Sequence, residues 1–470
     1  MQKTAFTWRI LISLLICGVT AAITSDNTVP SPHFSSEPKS PIDYRYNFHR
    51  DPPLLPHPKA TLADLEANAT DDFILRTIDQ VVLPEQAHGS YNSDVILKYK
   101  PHGLWLLSRW HGTILQSSLT KVLLNMALST AVCVILRYKC DASWGWGVEP
   151  SAVECSWVAK LDVFDKLWHY QQTLTTFILT FFLGQAYNLW RDMYKTARTI
   201  QGRLNDVGIL VATHAKRTND QKGRLTDESR VFLHTIARQL RLYHILVWAS
   251  NSRQFKILLT NRGLTLMMER GLLTADELDV LLSLPVPPGS RHSVIIEWII
   301  VEIDRAHQIG FMKGTQYQKV LLTKLCELRG TCAGIGDIVD GRMPLAYAHF
   351  VEFLVDSFLF ASPLALYAEL GVFNIICVGM LTLFYAGLLD LAKIFLDPLD
   401  NEQYGEGGID MDLGVFIRES NAASLRWIDG LGNMPAFGIS QLQKEDLDPP
   451  SVKEEASAPE GGSNSRFDLT

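Results

Sequence analysis

Residues 167–194 read LWHYQQTLTTFILTFFLGQAYNLWRDMY, and the fold follows from how this stretch is taken. From Thr173 to Trp190 it carries no charge, and Arg191 closes it. That length suits a helix crossing a bilayer, which takes about 20 predominantly apolar residues. Thr173, Phe177 and Phe181 stand at i, i+4 and i+8, so they share one side of the helix. That side either packs against a neighbour, the usual fate of phenylalanine, or lines a narrow apolar constriction. The spacing alone does not choose.

Outward from this stretch the chain separates into apolar and polar blocks. Of 470 residues 47% are hydrophobic and 20% charged, with a net charge of −7, and no dense Lys/Arg tract carries interleaved aromatics, so a nucleic-acid partner is not expected. A first span is expected at about 115–136, stopped by Arg137 and Lys139, and the opening stretch supplies the second at about 170–190. Two more follow Pro344, at about 345–369 and 372–392, broken at Glu369-Leu370-Gly371. The class is therefore all-α membrane protein with four transmembrane helices.

Between the second and third spans, residues 191–342 are polar and helical in pattern. Lys195, Arg198, Arg203, Lys216 and Arg217 crowd the start, which places that side on the cytosolic face or its topological equivalent. Thr274, three residues before Glu277, reads as a helix N-cap.

The ends are different. Residues 1–24 have a basic start, an apolar run and small residues, the pattern of a signal peptide or a signal anchor. Residues 25–90 are rich in Pro, Ser, Asp and Asn and read as a disordered or targeting leader, and 431–470 as a disordered tail.

Several side chains invite chemistry. The seven cysteines show no zinc-binding spacing. Cys140 and Cys155 share one polar connector; they pair if it faces an oxidising lumen and stay thiols otherwise. His349, Glu352 and Asp356 stand at i, i+3 and i+7 on the third span, either as an intramembrane relay or as solvated or paired charges. The acidic loop 397–412 gathers Asp397, Asp400, Glu402, Glu406, Asp410 and Asp412 with three glycines. Hard oxygens of that kind suit calcium better than zinc, although the EF-hand pattern is absent. No motif joins a nucleophile, a base and an orienting group, so an enzyme is not expected.

Taken together, separated motifs across about residues 91–430 resemble the bestrophin family of pentameric anion channels. The segments YNSDV (91–95) and LLSRWHGTI (106–114), Phe177-x3-Phe181-x8-Trp190, GLLTADE (271–277), LRGTC (328–332), PLAY (344–347), the Asp397-Pro398 turn and IRESN (417–421) resemble the family's landmarks in order and spacing. The resemblance implies a homopentamer in a lipid bilayer with a helical cytosolic domain, passing chloride, bicarbonate or similar small anions. Thr173, Phe177 and Phe181 would form its neck and Gln316 its cytosolic aperture. The acidic loop would be a calcium clasp, with Glu402, Asp410 and Asp412 as carboxylates and the Ile96 and Asp397 carbonyls as partners.

This chain departs from the family at Thr173 and Gln316, polar where apolar residues are common, at Ile394, apolar where the clasp is polar, and at His111, which replaces an arginine. A proton-coupled anion transporter and a non-conducting membrane scaffold are the rival functions. A bipartite leader as in algae with secondary plastids would place the protein in a plastid membrane, the thylakoid among them; a plasma or secretory-pathway membrane is the alternative.

Overall fold

The computed structural model describes residues 56–82, 95–96, 113–140, 155–218, 224–312, 314–402, 404 and 411–432. Its spine is the opening stretch, extended well beyond a membrane span: α4 runs unbroken from Ser156 to His214, 59 residues and about 88 Å at 1.5 Å per residue. The continuation past Arg191 has a plain cause. Met193, Ala197, Ile200, Leu204, Val207 and Val211 recur at helical spacing and are all buried, so an apolar stripe persists among the basic residues that mark the polar half. The helix ends at Ala215, whose extended backbone begins an isolated bridge to Met312.

Around the first half of α4 stand α3 (Ile114–Lys139), α10 (Leu345–Ala365) and α12 (Asn374–Phe395). The core between α4, α10 and α12 holds Trp168, Leu179, Phe182 and Ala186 of α4 against Val351, Val355, Phe358, Ala386 and Leu389. Two stretches, Ile114–Lys139 and Leu345–Phe395, are long and apolar enough to cross a membrane. The α4 stretch is less apolar because Gln185, Asn188 and four threonines interrupt its phenylalanines. The α3–α12 seam is tight: a Cβ at Gly387 would come within 2.3 Å of the Ile114 side chain, so the two backbones approach where only glycine fits.

The expected break between the last two spans is a turn, α11 (Tyr367–Leu370) followed by one 3-10 turn from Gly371, whose φ is +53°. Before it, Pro363 sits inside α10 and cannot donate to the Leu359 carbonyl; the Ser362 hydroxyl donates there instead, at 2.7 Å. Cys140 and Cys155 are joined in a disulfide that ties the end of α3 to the start of α4.

The polar half is a second bundle on the lower half of α4. It comprises α5 (Asp227–Asn251), α6 (Asn261–Glu269), α7 (Ala275–Ser283), α8 (Arg291–Gln308), α9 (Thr315–Asp340) and α13 (Leu413–Gly432). Thr274 caps α7 in a reciprocal capping box with Glu277, and Glu277 also takes a two-pronged pair of bonds from Arg238, at 2.6 and 2.9 Å. Burial works against the Glu277 charge, but Arg238 and the Thr274 N–H outweigh it and hold the carboxyl below its ordinary range.

Within the segment read as a disordered or targeting leader, residues 62–82 are ordered and form α1 (Leu62–Asn68) and α2 (Asp71–Val82). Leu65, Ile74, Ile78 and Val81 are buried in the core of the polar half. Arg262 binds Asp71 and the Ala69 carbonyl, and Glu66 accepts the Asn261 and Arg262 N–H groups. The apolar positions of α2 have helical spacing, but the Pro-rich segment before them masks it. Residues 1–55, 97–112 and 433–470, with the signal segment, the first part of the leader, His111 and most of the tail, lie outside the described residues.

The core of α5 carries a titration signature. His244 is fully enclosed and accepts a 2.8 Å bond from the Trp248 indole N–H, and burial pushes its imidazole down to about 3. Above about pH 6.5 the unfolded histidine is neutral too, and the site is silent. Below it only the unfolded chain takes up a proton, so stability falls by up to about 1.4 kcal/mol per pH unit. His244→Gln is expected to remove about 2 kcal/mol of the acid-side loss between about pH 6.5 and 5, read from melting temperature against pH; parallel curves for the two proteins would refute the assignment.

Candidate functional site

The upper half of α4 has two unlike faces. Thr175, Leu179, Phe182 and Ala186 are buried against α10 and α12. On the other side Phe177 is 71% exposed and Phe181 53%, with Thr173 exposed a turn away. The three residues that share a face in the sequence therefore share a bare face in the folded subunit. Burying large aromatics is favourable by roughly 1.5–3 kcal/mol each, so a face left uncovered by its own chain is fitted to something else.

Below it the same helix reaches the region of Gln316. That residue is exposed in the first turn of α9, after Gly314 with φ +99°. Its neighbour Tyr317 lies on the ring of His214, the last residue of α4, with centroids 3.7 Å apart. Phe177 and the foot of the helix are separated by about 56 Å of continuous α4. Trp190 sits between them, close to Tyr187, Tyr194 and Phe395.

The acidic loop follows α12, and the structure brings its parts together. The Asp412 N–H donates to the Val95 carbonyl at 3.1 Å, setting Ile96 beside the loop, and the Met411 N–H reaches the Pro398 carbonyl at 3.5 Å. The carboxylates, however, already have partners. Asp397 accepts the N–H groups of Asn401 and Glu402 at 2.9 and 2.7 Å. Asp400 pairs with Arg253, Glu402 with Arg342 at 3.3 Å, and Asp412 with Arg418 at 3.5 Å. Among the described residues the loop offers no three carboxylates close enough to share a cation. Asp410 and Glu406 lie outside the described residues. The described part of the loop is thus an arginine-paired clasp. Arg253 and Arg342 lie 147 and 60 residues from their partners in sequence, which is why reading the loop alone missed them; Arg418 follows the loop closely.

Charges on the apolar helices pair as well. Lys393 of α12 donates to Glu352 of α10 at 2.5 Å. Asp390 accepts from Lys121 of α3 at 2.8 Å and from Ser118 at 3.0 Å. His349 is exposed, whereas Asp356 interacts electrostatically with Glu352, Lys121, Lys393 and Asp390, so two of the trio belong to one lysine-paired charge cluster.

With the geometry in place, the comparison that decides the family is a match over residues 89–418 to the family model described as Bestrophin, RFP-TM, chloride channel. The chain belongs to the bestrophin family. Bestrophins are integral membrane proteins of the chloride-channel type. Crystal structures of two variants of a bacterial bestrophin homologue from Klebsiella pneumoniae match the fold. One is 15% identical with a TM-score of 0.50, covering 67% of this chain and 99% of its own. The other is 17% identical with a TM-score of 0.50, covering 68% and 100%. No curated protein matches the chain. At such identity the likeness carries the bestrophin fold alone.

Proposed function

We propose that the chain is one subunit of a homopentameric anion channel with four spans, α3, the upper half of α4, α10 and α12. Chloride, bicarbonate or similar monovalent anions would pass a neck built from five copies of Thr173, Phe177 and Phe181, then a wider aperture at Gln316. The observation that carries this reading is the bare apolar face of α4, opposite a face packed in its own subunit. A neck of aromatic rings has no fixed charge to trap an anion; ring edges carry positive potential and tolerate one that sheds water easily. Conduction stops when the ring dewets or narrows.

Lys393 and Lys121 pair with Glu352 and Asp390 and also act on Asp356, so these carboxylates are held in a lysine-paired cluster, which favours a passive path over a proton relay. In this reading the arginines of the clasp supply the neutralisation that calcium would otherwise supply. Proposed residence is a plastid membrane with the basic half in the stroma, and α1 and α2 stay with the mature channel because they are part of its core.

Reconstitution of the purified chain in liposomes with chloride and bicarbonate gradients tests this. Flux that follows the anion gradient and ignores an imposed pH gradient is expected, and chelation of calcium should leave its rate essentially unchanged. Flux driven by the pH gradient would favour the transporter, no flux the scaffold, and loss of flux on chelation would return the clasp to calcium.

A further inference from the structure

At the far end of α4 from the polar half, three side chains that none of the roles above uses stand together. Asp165 and His169 are one turn apart on α4, and Glu369 comes from α11, the turn between α10 and α12. One ligand atom from each lies within 4.8 Å of the others. Asp165 Oδ1 is 3.4 Å from His169 Nε2, which is about the separation of two donors each roughly 2.1 Å from a common ion at the tetrahedral angle.

Two further observations point to an occupant. Asp165 is only 8% exposed, and its Oδ1 is enclosed with no hydrogen bond from any described residue. A carboxylate oxygen in that position is costly unless a cation or donor completes it. The frame around it is also fixed on both sides. Trp168 is buried, stacks on Phe358 with centroids 4.7 Å apart and donates to the Phe358 carbonyl at 3.0 Å. Tyr367, two residues before Glu369, is buried with Cys155 and Val158 beside the disulfide. Only the exposed Glu369 side chain has to swing to close the site.

We propose that Asp165, His169 and Glu369 bind a divalent first-row transition cation, for which zinc is the fitting probe. One imidazole nitrogen with two carboxylates suits zinc or its neighbours, whereas calcium and magnesium prefer an all-oxygen shell of six or more ligands. Three protein ligands leave a fourth position for water. The ion would staple the outer end of α4 to the α10–α12 turn and balance the two carboxylates that now face each other there.

The test uses the full chain purified in detergent, stripped with a chelator and titrated with zinc. Bound zinc is counted per chain in the original protein and in His169→Ala, Glu369→Gln and Asp165→Asn. His169 and Glu369 are exposed, so their variants keep the fold even if the Asp165 variant does not. The original protein is expected to hold one zinc per chain more than either exposed-site variant, or to bind it at least about tenfold more tightly. Equal stoichiometry and affinity in the original protein and both exposed-site variants would overturn the proposal. Displacement of the ion by equimolar calcium or magnesium would overturn its chemical class. Both readouts are binding measurements and stand whether or not the protein conducts anions.

Discussion

Replacing Phe177 and Phe181 together with alanine is expected to raise basal anion current on the order of tenfold, the change that about 1.4 kcal/mol off a barrier produces. Each phenylalanine projects from a face that its own subunit leaves open. In the folded chain neither residue belongs to the core formed by Leu179 and Phe182 on the opposite face. The double substitution therefore widens and wets the constriction while the packing of α4 on α10 and α12 stays intact. Thr173→Val works in the other direction, drying the ring at its only polar step and lowering leak. Single-channel recordings in planar bilayers decide the matter. An unchanged current in the alanine protein, with melting temperature preserved, would move Phe177 and Phe181 from the pore to a contact surface.

The second large effect lies in the clasp. Asp400→Ala is expected to cost about 3–5 kcal/mol of stability, the usual penalty for stranding one member of a buried ion pair. Its partner Arg253 has a side chain only 5% exposed, and Arg253 Nε already lacks a partner among the described residues. The Arg253 N–H is held by Asn401, whose amide in turn donates to the Asn251 carbonyl at the end of α5. Removing the carboxylate leaves the enclosed guanidinium without its direct partner. Asp400→Asn keeps a polar contact and suits the left-handed backbone at this position, φ +51°, so it should cost less. Thermal unfolding of the purified protein compares the two. A melting point for the alanine protein equal to that of the asparagine protein would mean that the backbone, not the ion pair, docks the loop.

What the sequence disclosed and what it withheld divide along a physical line. Local periodicity and capping were legible: the shared face of Thr173, Phe177 and Phe181, and the box between Thr274 and Glu277, are settled within a turn or two of helix. The stripe from Met193 to Val211 was present too, but lysines and arginines around it drew the eye to topology, and the helix is far longer than its apolar part. Helices α1 and α2 were hidden for a similar reason, a short amphipathic pattern behind a Pro-rich segment. Partnerships across the fold left no local trace. Arg253 and Asp400 are 147 residues apart, and Arg198 and Glu419 are 221. Exposure of the phenylalanine face is likewise a property of what fails to cover it, which no run of residues records.

The unbroken length of α4 carries a mechanical consequence. If the contact of Trp190 with Phe395 serves as a fulcrum, Phe177 lies about 20 Å to one side and His214 about 36 Å to the other. A stiff rod on that pivot trades a displacement at its foot for one a little over half as large, and opposite in sense, at the proposed neck. A lateral shift of about 3 Å where Tyr317 rests on His214 would move the phenylalanine ring by about 1.7 Å. On that pivot, load applied to the polar half would reach the proposed constriction by leverage, with no chain of rearranging side chains between them.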